Sequence, residues 1–417
     1  MKFNIVTFGC KVNQYESNMM KEKMLSSNFF YTENMEDANI IIVNTCSVTN
    51  VSDKKCLKMI RKVKRECPKA ILVVAGCSSQ NNQKEYESLD IDILLGNKDK
   101  SIINELIKEY IDTKKRYVKF YNDRNLEFED MLINNYNHVR AFIKIEDGCD
   151  NFCSYCIIPY VRGTVRSKNF DKVLEEAKNL VKNGHKEIVL TGIHTGHYMD
   201  SGHDLTDLIN DLSKIDELVR IRISSIEITE LNDKFLDSLS KNEKICNHLH
   251  IPLQAGSDEI LKKMNRKYDL KYFEEKINKI RSIRPDISIS TDIIVGFPYE
   301  SDELFESTLN FSEKIKFSKI HVFPYSVRVG TAAASMPNQI DEHVKKMRVK
   351  KLMDLSEKLE KEYENKFIGK TLDILVEEVS ENKSIGHSSN YIKLEVNEKL
   401  EKGKIYKVTY KEKLYQK

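Results

Sequence analysis

The 417-residue chain has no tryptophan, only 7 proline and 15 glycine residues, and no apolar run long enough to cross a membrane. The low proline and glycine content excludes a collagen-like or low-complexity chain, and 40% hydrophobic residues suffice for globular domains. The apolar stretch at the start of the chain is too short for a signal peptide. The sequence therefore predicts a cytoplasmic protein of two or three domains without a membrane partner.

Neither sign of charge prevails, because 67 Lys and Arg residues face 64 Asp and Glu residues, for a net charge of +3. Cysteine is the residue type that stands out, with nine copies. An odd number of cysteines in a reducing compartment argues against a disulfide framework. Metal ligation or thiol chemistry is the better interpretation, and the positions of the cysteines decide between them.

The chain divides into three patterned regions. Residues 1–115 alternate short apolar runs with helical patterns, which predicts an α/β domain built on a parallel open sheet. After a polar linker, six further strand–helix units between residues 135 and 362 favour a partial (β/α) barrel over a second open sheet. Residues 363–417 contain three apolar runs without helical patterns, which predicts a small antiparallel β-barrel.

Three closely spaced cysteines follow the first predicted strand of the middle region. Cys149, Cys153 and Cys156 form a C-x3-C-x2-C arrangement. Three thiolates on a 4Fe–4S cluster leave one iron open, where a substrate or cofactor can bind. Two alternatives stay open at this point: a zinc site, which would need a fourth ligand such as His138 or His185, and three unrelated thiols.

Another group of cysteines, earlier in the chain, becomes visible only through the predicted strands. Cys10, Cys46 and Cys77 each come directly after a predicted strand of the amino-terminal sheet. The carboxyl ends of parallel strands lie along one edge of a sheet, so these three thiols should converge although they are far apart in sequence. We expect a second cluster with three thiolate ligands there. The remaining cysteines, for which we expect structural roles, are Cys56, Cys67 and Cys246.

These motifs carry a resemblance to a known family. The segments TFGCKVNQYES, VNTCSVT and AGC, together with C-x3-C-x2-C, resemble the methylthiotransferase family of radical S-adenosylmethionine (SAM) enzymes over essentially the whole chain. The carboxy-terminal region resembles the TRAM module, a small RNA-binding β-barrel. Within the family, FGCKVNQYES and TGIHTGHY are most similar to the branch that acts on threonylcarbamoyladenosine in tRNA.

The resemblance implies an activity and its cofactors. Such an enzyme would convert N6-threonylcarbamoyladenosine at position 37, in the tRNA anticodon loop, to its 2-methylthio derivative. It would use two 4Fe–4S clusters, two SAM molecules per turnover and an electron donor such as flavodoxin or ferredoxin. Alternative substrates are isopentenyladenosine in tRNA and an aspartate of a ribosomal protein. An alternative without catalysis is a zinc-containing RNA-binding protein.

The resemblance also implies residues that bind SAM beside the cluster on Cys149, Cys153 and Cys156. Tyr155 would lie beside the adenine, Gly192 would admit the amino acid portion, and Glu227 would bind the ribose or amino group. Three more strand-end residues facing the barrel mouth complete this predicted set: Gln254, Ser257 and Asp292. Arg162 could pair with the SAM carboxylate or with tRNA phosphate, and a solvated loop position is the alternative for it.

Overall fold

The structure, a computed structural model, describes residues 1–134, 136 and 138–411. The predicted first residue of the barrel region, 135, and the last six residues of the predicted carboxy-terminal region, 412–417, lie outside the described part. No helix in the described ranges is long and apolar enough to span a bilayer.

The amino-terminal region forms a six-stranded parallel sheet in the order β2-β1-β3-β4-β5-β6. Its two central strands are buried along their whole length, as the sequences IIIVNT and ILVVAG require for strands covered on both faces. The elements are β1 (Lys2–Thr7), α1 (Lys11–Ser26), β2 (Phe30–Tyr31), β3 (Ile40–Thr45), α2 (Asn50–Glu66), β4 (Ile71–Gly76), α3 (Cys77–Asn81), α4 (Gln83–Glu87), β5 (Ile93–Leu95), α5 (Ile103–Thr113) and β6 (Tyr117–Lys119).

The middle region contains six parallel barrel strands, which lie side by side in chain order. They form two three-stranded sheets, and a parallel bridge between Ile221 and Ile245 joins the two sheets. The barrel strands are β7 (Arg140–Lys144), β10 (Glu187–Thr191), β13 (Arg220–Ile223), β14 (His248–His250), β15 (Ser288–Val295) and β16 (Lys319–Pro324). Two short antiparallel strand pairs are β8 (Glu146–Asp147) with β9 (Arg166–Ser167), and β11 (Met199–Asp200) with β12 (His203–Asp204). The helices are α6 (Ile158–Arg162), α7 (Phe170–Lys182), α8 (Leu205–Leu212), α9 (Asp233–Lys241), α10 (Asp258–Lys263), α11 (Leu270–Ile283) and α12 (Asp302–Ile315).

A long helix, α13 (Glu342–Asn365), leads to a four-stranded antiparallel sheet in the order β19-β18-β17-β20. Its strands are β17 (Thr371–Val379), β18 (Ser384–Ser388), β19 (Lys393–Val396) and β20 (Ile405–Thr409). This sheet packs against the amino ends of the barrel strands. The first residue of β13, Arg220, donates to the carbonyls of His387 and Asp373, and the first residue of β7, Arg140, pairs with Glu377 at 3.2 Å.

The structure confirms the predicted α/β class and the parallel, barrel and antiparallel regions, and it corrects two details. The sequence analysis expected three strands in the carboxy-terminal region and missed β18, because SIGHS lacks the apolar alternation of a typical strand. The segment after residue 115 is not a simple polar linker. It contributes β6 to the first sheet, and Met131, Ile133 and Tyr136 are buried in the core that joins this sheet to the barrel.

Candidate active site

The fold brings the first group of cysteines in chain order, Cys10, Cys46 and Cys77, to one edge of the amino-terminal sheet. Cys10 precedes α1, Cys46 follows β3, and Cys77 opens α3 directly after β4. Their strands β1, β3 and β4 are adjacent and parallel, so all three residues lie at the same carboxyl edge. Burial raises the pKa of Cys10 and of Cys46, and Cys77 contributes to both shifts, so the three thiols act on one another electrostatically.

The side chain of Asn13 and the backbone at Gly9 hold the loops of Cys10 and Cys46 together. Asn13 donates from its side-chain amide to the carbonyls of Phe8, at 2.7 Å, and of Thr45, at 2.9 Å. It thereby ties the loop that carries Cys10 to the loop that carries Cys46. Gly9 has a φ of +101°, and a Cβ atom there would lie 2.5 Å from the Cβ of Cys46. Only glycine lets the backbone beside Cys10 approach Cys46 so closely.

The second group, Cys149, Cys153 and Cys156, lies between β7, the first strand of the barrel, and α6. The backbone N–H of Cys156 donates to the carbonyl of Cys153 at 2.9 Å, and that of Cys149 donates to Gly163 at 3.1 Å. Burial, with contributions from the other two thiols, raises the pKa of Cys149 to about 12. Burial also raises the pKa of Cys156 to about 12.

Both groups fit an iron–sulfur cluster by their chemistry. Burial, with a contribution from Cys77, raises the pKa of the Cys46 thiol to about 12, as happens to Cys149 and Cys156 in the other group. Clustered thiols with such pKa values are protonated near neutral pH unless a metal supplies positive charge. Each group brings three cysteines to one sheet edge or one loop, which matches the three-cysteine ligand set of a 4Fe–4S cluster.

An arginine is hydrogen bonded to one cysteine of each group. Arg162 donates from Nε to Sγ of Cys77 at 3.2 Å, and Arg266 donates from Nη1 to Sγ of Cys153 at 3.2 Å. Hydrogen bonds to ligand sulfur stabilise its negative charge and tune the potential of a bound cluster. Neither role was predicted from the sequence. No local motif marks Arg266, and the alternatives considered for Arg162 were a SAM carboxylate, a phosphate or solvent.

Arg162 is instead completely buried in an ionic network at the seam between the first two regions. It pairs with Glu16 at 2.9 Å and Asp147 at 3.0 Å, and it also binds Asn13. Lys100 and Lys144 pair with the same Glu16 carboxylate. These contacts, with the packing of Cys77 against Ile157 and Val161, dock the first cysteine group against the segment that follows Cys156.

Two of the predicted SAM-binding residues, Glu227 and Tyr155, lie close to the cysteines of the barrel region. Glu227 pairs with Arg266, which also holds Cys153, so Glu227 is connected to the barrel cysteines through one side chain. Burial raises the pKa of Glu227, although Arg266 lowers it. Tyr155 lies between two of the cysteines and packs edge-on against Phe297, with ring centroids 6.4 Å apart.

The remaining predicted residues are less directly connected to the cysteines. A Cβ at Gly192 would lie 2.8 Å from Oε2 of Glu146, a buried carboxylate that the sequence analysis missed. Gln254 has a φ of +70° and donates from its backbone N–H to the carbonyl of Asp292. Ser257 precedes α10. Asp292 contacts His250 at 3.2 Å inside the barrel. A role in SAM binding stays a prediction for each of these residues.

The two histidines considered as a fourth ligand for zinc lie elsewhere. His185 precedes β10 and contacts the carbonyl of Val139, and His138 lies beside Tyr136. A different histidine, His194, has Nδ1 3.8 Å from Sγ of Cys149 and is paired with Glu230. It belongs to the segment TGIHTGHY, whose histidines the sequence analysis did not assign to the site.

Comparison with known proteins identifies the class to which this fold and site belong. Residues 143–312 match the Radical SAM superfamily, and residues 2–96 match Uncharacterized protein family UPF0004. The solved structure of the radical SAM methyltransferase TsrM from Kitasatospora setae superposes with a TM-score of 0.58 over 80% of this chain and 76% of that one, at 12% identity. The middle region is thus a radical SAM fold, whose family implies SAM and a 4Fe–4S cluster.

Full-length relatives narrow the assignment. The chain is 39% identical over 402 residues, 93% of this chain and 88% of the relative, to "Threonylcarbamoyladenosine tRNA methylthiotransferase MtaB" of Bacillus subtilis. It is 36% identical to the protein of the same name from Aquifex aeolicus, over 98% of this chain and all of the relative. It is also 36% identical, over 90% of this chain and 80% of the relative, to "tRNA-2-methylthio-N(6)-dimethylallyladenosine synthase" of Acetivibrio thermocellus. The chain belongs to the radical SAM methylthiotransferase family.

Proposed function

We propose that this protein converts N6-threonylcarbamoyladenosine at position 37 of tRNA to its 2-methylthio derivative. One observation carries the proposal: two separate cysteine groups, of three residues each, are docked against one another through Arg162, Ile157 and Val161. A radical SAM enzyme that only cleaves SAM needs one such group. A second group at the same seam suits a reaction that must also deliver sulfur.

The two groups would hold two 4Fe–4S clusters, one on Cys149, Cys153 and Cys156 and the other on Cys10, Cys46 and Cys77. When bound, the clusters and SAM supply a carbon-centred radical, a sulfur atom and a methyl group, chemistry that no side chain provides. That chemistry is needed because carbon 2 of adenosine carries no acidic proton. Two SAM molecules per turnover and reduction by flavodoxin or ferredoxin complete the proposal.

The protein's own residues would orient these groups. Arg266 would hold Cys153 by its N–H···S hydrogen bond and, through its ion pair, fix the carboxylate of Glu227 toward the SAM pocket. Tyr155 would cover the SAM adenine from its position beside Cys156. The Arg162 network would keep water away from the seam, because its charged groups are buried and paired with one another.

The chemistry of the RNA favours a loop substrate. A base inside a duplex is stacked and cannot reach an enclosed cluster, whereas an anticodon-loop base can turn outward into a pocket. The carboxy-terminal antiparallel sheet, proposed as a TRAM-like module, would contribute to binding of the tRNA, and binding should weaken steeply with salt.

Nucleoside mass spectrometry of total tRNA tests the proposal. Cells that lack this protein should accumulate unmodified threonylcarbamoyladenosine, and the wild-type gene should restore the methylthio derivative. Cys77→Ala and Cys153→Ala should fail to restore it. Cys246→Ala is a matched control, because Cys246 is buried at 1% exposure beside Ser389 and away from both groups.

Other outcomes would reassign the substrate or the class. Loss of the methylthio group from dimethylallyladenosine would support the relatives that carry that name. Unchanged tRNA with an altered ribosomal-protein aspartate would support a protein substrate. Anaerobically purified protein should contain about eight iron atoms per chain. Zinc without visible absorption would instead support an RNA-binding protein without catalysis.

A further inference from the structure

A cavity of about 580 Å³ lies inside the partial barrel, between its strands and the carboxy-terminal sheet. Barrel residues line it together with Tyr391 of the carboxy-terminal sheet region and Lys11 of the amino-terminal region. Four histidines line the cavity: His248 and His250 on β14, His321 on β16, and His387 on β18. The proposed reaction assigns no task to any of them.

Three side chains in this cavity bring metal-ligating atoms together. His250, Asp292 and His321 each offer one ligand atom, and these atoms lie within 4.8 Å of one another. They come from β14, β15 and β16, which are adjacent, and Asp292 is the direct partner of His321 in the register of β15 and β16. Nε2 of His250 lies 3.2 Å from Oδ2 of Asp292, and the two histidine ring centroids are 5.6 Å apart.

The surroundings orient this group. Nδ1 of His250 lies 2.9 Å from the hydroxyl of Ser290, which leaves Nε2 directed toward Asp292. Metal-binding histidines are usually held in this way, by a hydrogen bond at the ring nitrogen that does not bind the metal. His248 shares the Ser290 hydroxyl at 3.0 Å, and its own Nδ1 is buried without a hydrogen-bond partner in the described part of the chain.

Among the described residues, the carboxylate of Asp292 forms an ion pair with His250 and with no lysine or arginine. Lys319, the lysine on β16, is paired with Glu360. Lys11 lines the cavity and acts electrostatically on Asp292, although the described residues include no ion pair between the two.

We propose that His250, Asp292 and His321 form a binding site for one divalent transition-metal ion of the zinc or ferrous type. Two imidazoles and one carboxylate suit these borderline ions, and three protein ligands leave a coordination position open toward the cavity. That position can take water or an anionic oxygen of a ligand. The site contains no cysteine, so metal binding there can be tested apart from the proposed function, although Asp292 is also one of the residues predicted to bind SAM.

Zinc analysis of the cluster-loaded protein tests this site. The holoprotein is dialysed anaerobically against a small excess of Zn²⁺ and then against buffer, and zinc and iron are counted by mass spectrometry. The wild-type protein should retain one zinc per chain, which His250→Ala and His321→Ala should lose. His343→Ala is the matched control, because His343 is exposed near the start of α13 and should leave the zinc content unchanged.

X-ray absorption at the zinc edge identifies the ligands. The proposal requires nitrogen and oxygen neighbours at about 2.0–2.2 Å, whereas zinc on cysteine would show sulfur at about 2.3 Å. Sulfur neighbours, no retained zinc, or the same zinc content in His321→Ala would each overturn it. His321 is exposed, so its replacement should not disturb folding, and an unchanged iron content verifies this.

Discussion

Gly9→Ala should remove the proposed cluster on Cys10, Cys46 and Cys77 and leave the one proposed on Cys149, Cys153 and Cys156. A Cβ at this position would lie 2.5 Å from the Cβ of Cys46, where ordinary contacts are 3.4–4 Å, so Cys46 must move by about 1 Å. Sites of this kind tolerate displacements of only about 0.5 Å. The φ of +101° adds about 1–2 kcal/mol of backbone strain for a residue with a side chain.

Gly184→Ala provides the matched control. Gly184 also has a positive φ, +98°, but nothing lies within 4 Å of its added Cβ, so this variant carries the strain without the collision. After anaerobic reconstitution, iron and sulfide are measured for both variants. Gly184→Ala should retain about eight iron atoms per chain, and Gly9→Ala should fall to about four.

The remaining cluster gives a second readout. Gly9→Ala should still cleave SAM to 5′-deoxyadenosine, because the loop of Cys149, Cys153 and Cys156 is untouched, but it should no longer methylthiolate RNA. If Gly9→Ala kept about eight iron atoms and full methylthiolation, the inferred convergence of Cys10 and Cys46 on a common cluster would be wrong.

Three further predictions follow from the buried charges. Arg162→Met should lower the free energy of unfolding in urea by about 3 kcal/mol, because the buried carboxylates of Glu16 and Asp147 lose one of the cations that compensate them and keep only lysines and Arg166. Lys358→Met, which breaks an exposed pair with Glu313, should leave it unchanged, and equal effects would refute the argument. Burial alone would raise the pKa of Glu16, but Arg162, Lys100 and Lys144 hold it well below its usual value of 4.5. The stabilising contribution of this carboxylate is therefore complete above pH 4.5 and declines below it. Glu16→Gln should flatten the acid side of the curve of stability against pH for the cluster-free protein, and an unchanged curve would contradict this. Arg266→Met removes the hydrogen bond to Cys153 and should make the reduction potential of the barrel cluster more negative in a redox titration followed by electron paramagnetic resonance, whereas an unshifted potential would exclude this tuning role.

The sequence alone predicted the arrangement of the six cysteines better than it predicted their surroundings. Cys10, Cys46 and Cys77 could be brought together because each follows a buried apolar strand, and parallel strands share a carboxyl edge. This inference needs only the order of local elements. The β15 run SISTDIIV and the barrel strands around it were recognisable for the same reason.

The side chains that support the cysteines could not be found in this way. Arg162 meets Glu16 and Asn13 from almost 150 positions away, and Arg266 reaches Cys153 across 113 positions. No spacing rule connects such pairs, because they depend on how two folded layers pack. The same limitation hid β18, whose strand conformation is set by its neighbours β17 and β19 rather than by its own polar sequence.

The carboxy-terminal sheet and the cysteine loops occupy opposite ends of the barrel. Arg140 and Arg220, which begin their strands, meet the sheet, whereas Cys149, Cys153 and Cys156 follow the other end of β7. An eight-residue strand such as β15 spans about 26 Å. An RNA bound, as proposed, by both the carboxy-terminal sheet and the cysteine loops would have to extend over about this length. A free nucleoside could engage only one of the two ends, so short RNA fragments should bind more weakly than the whole tRNA.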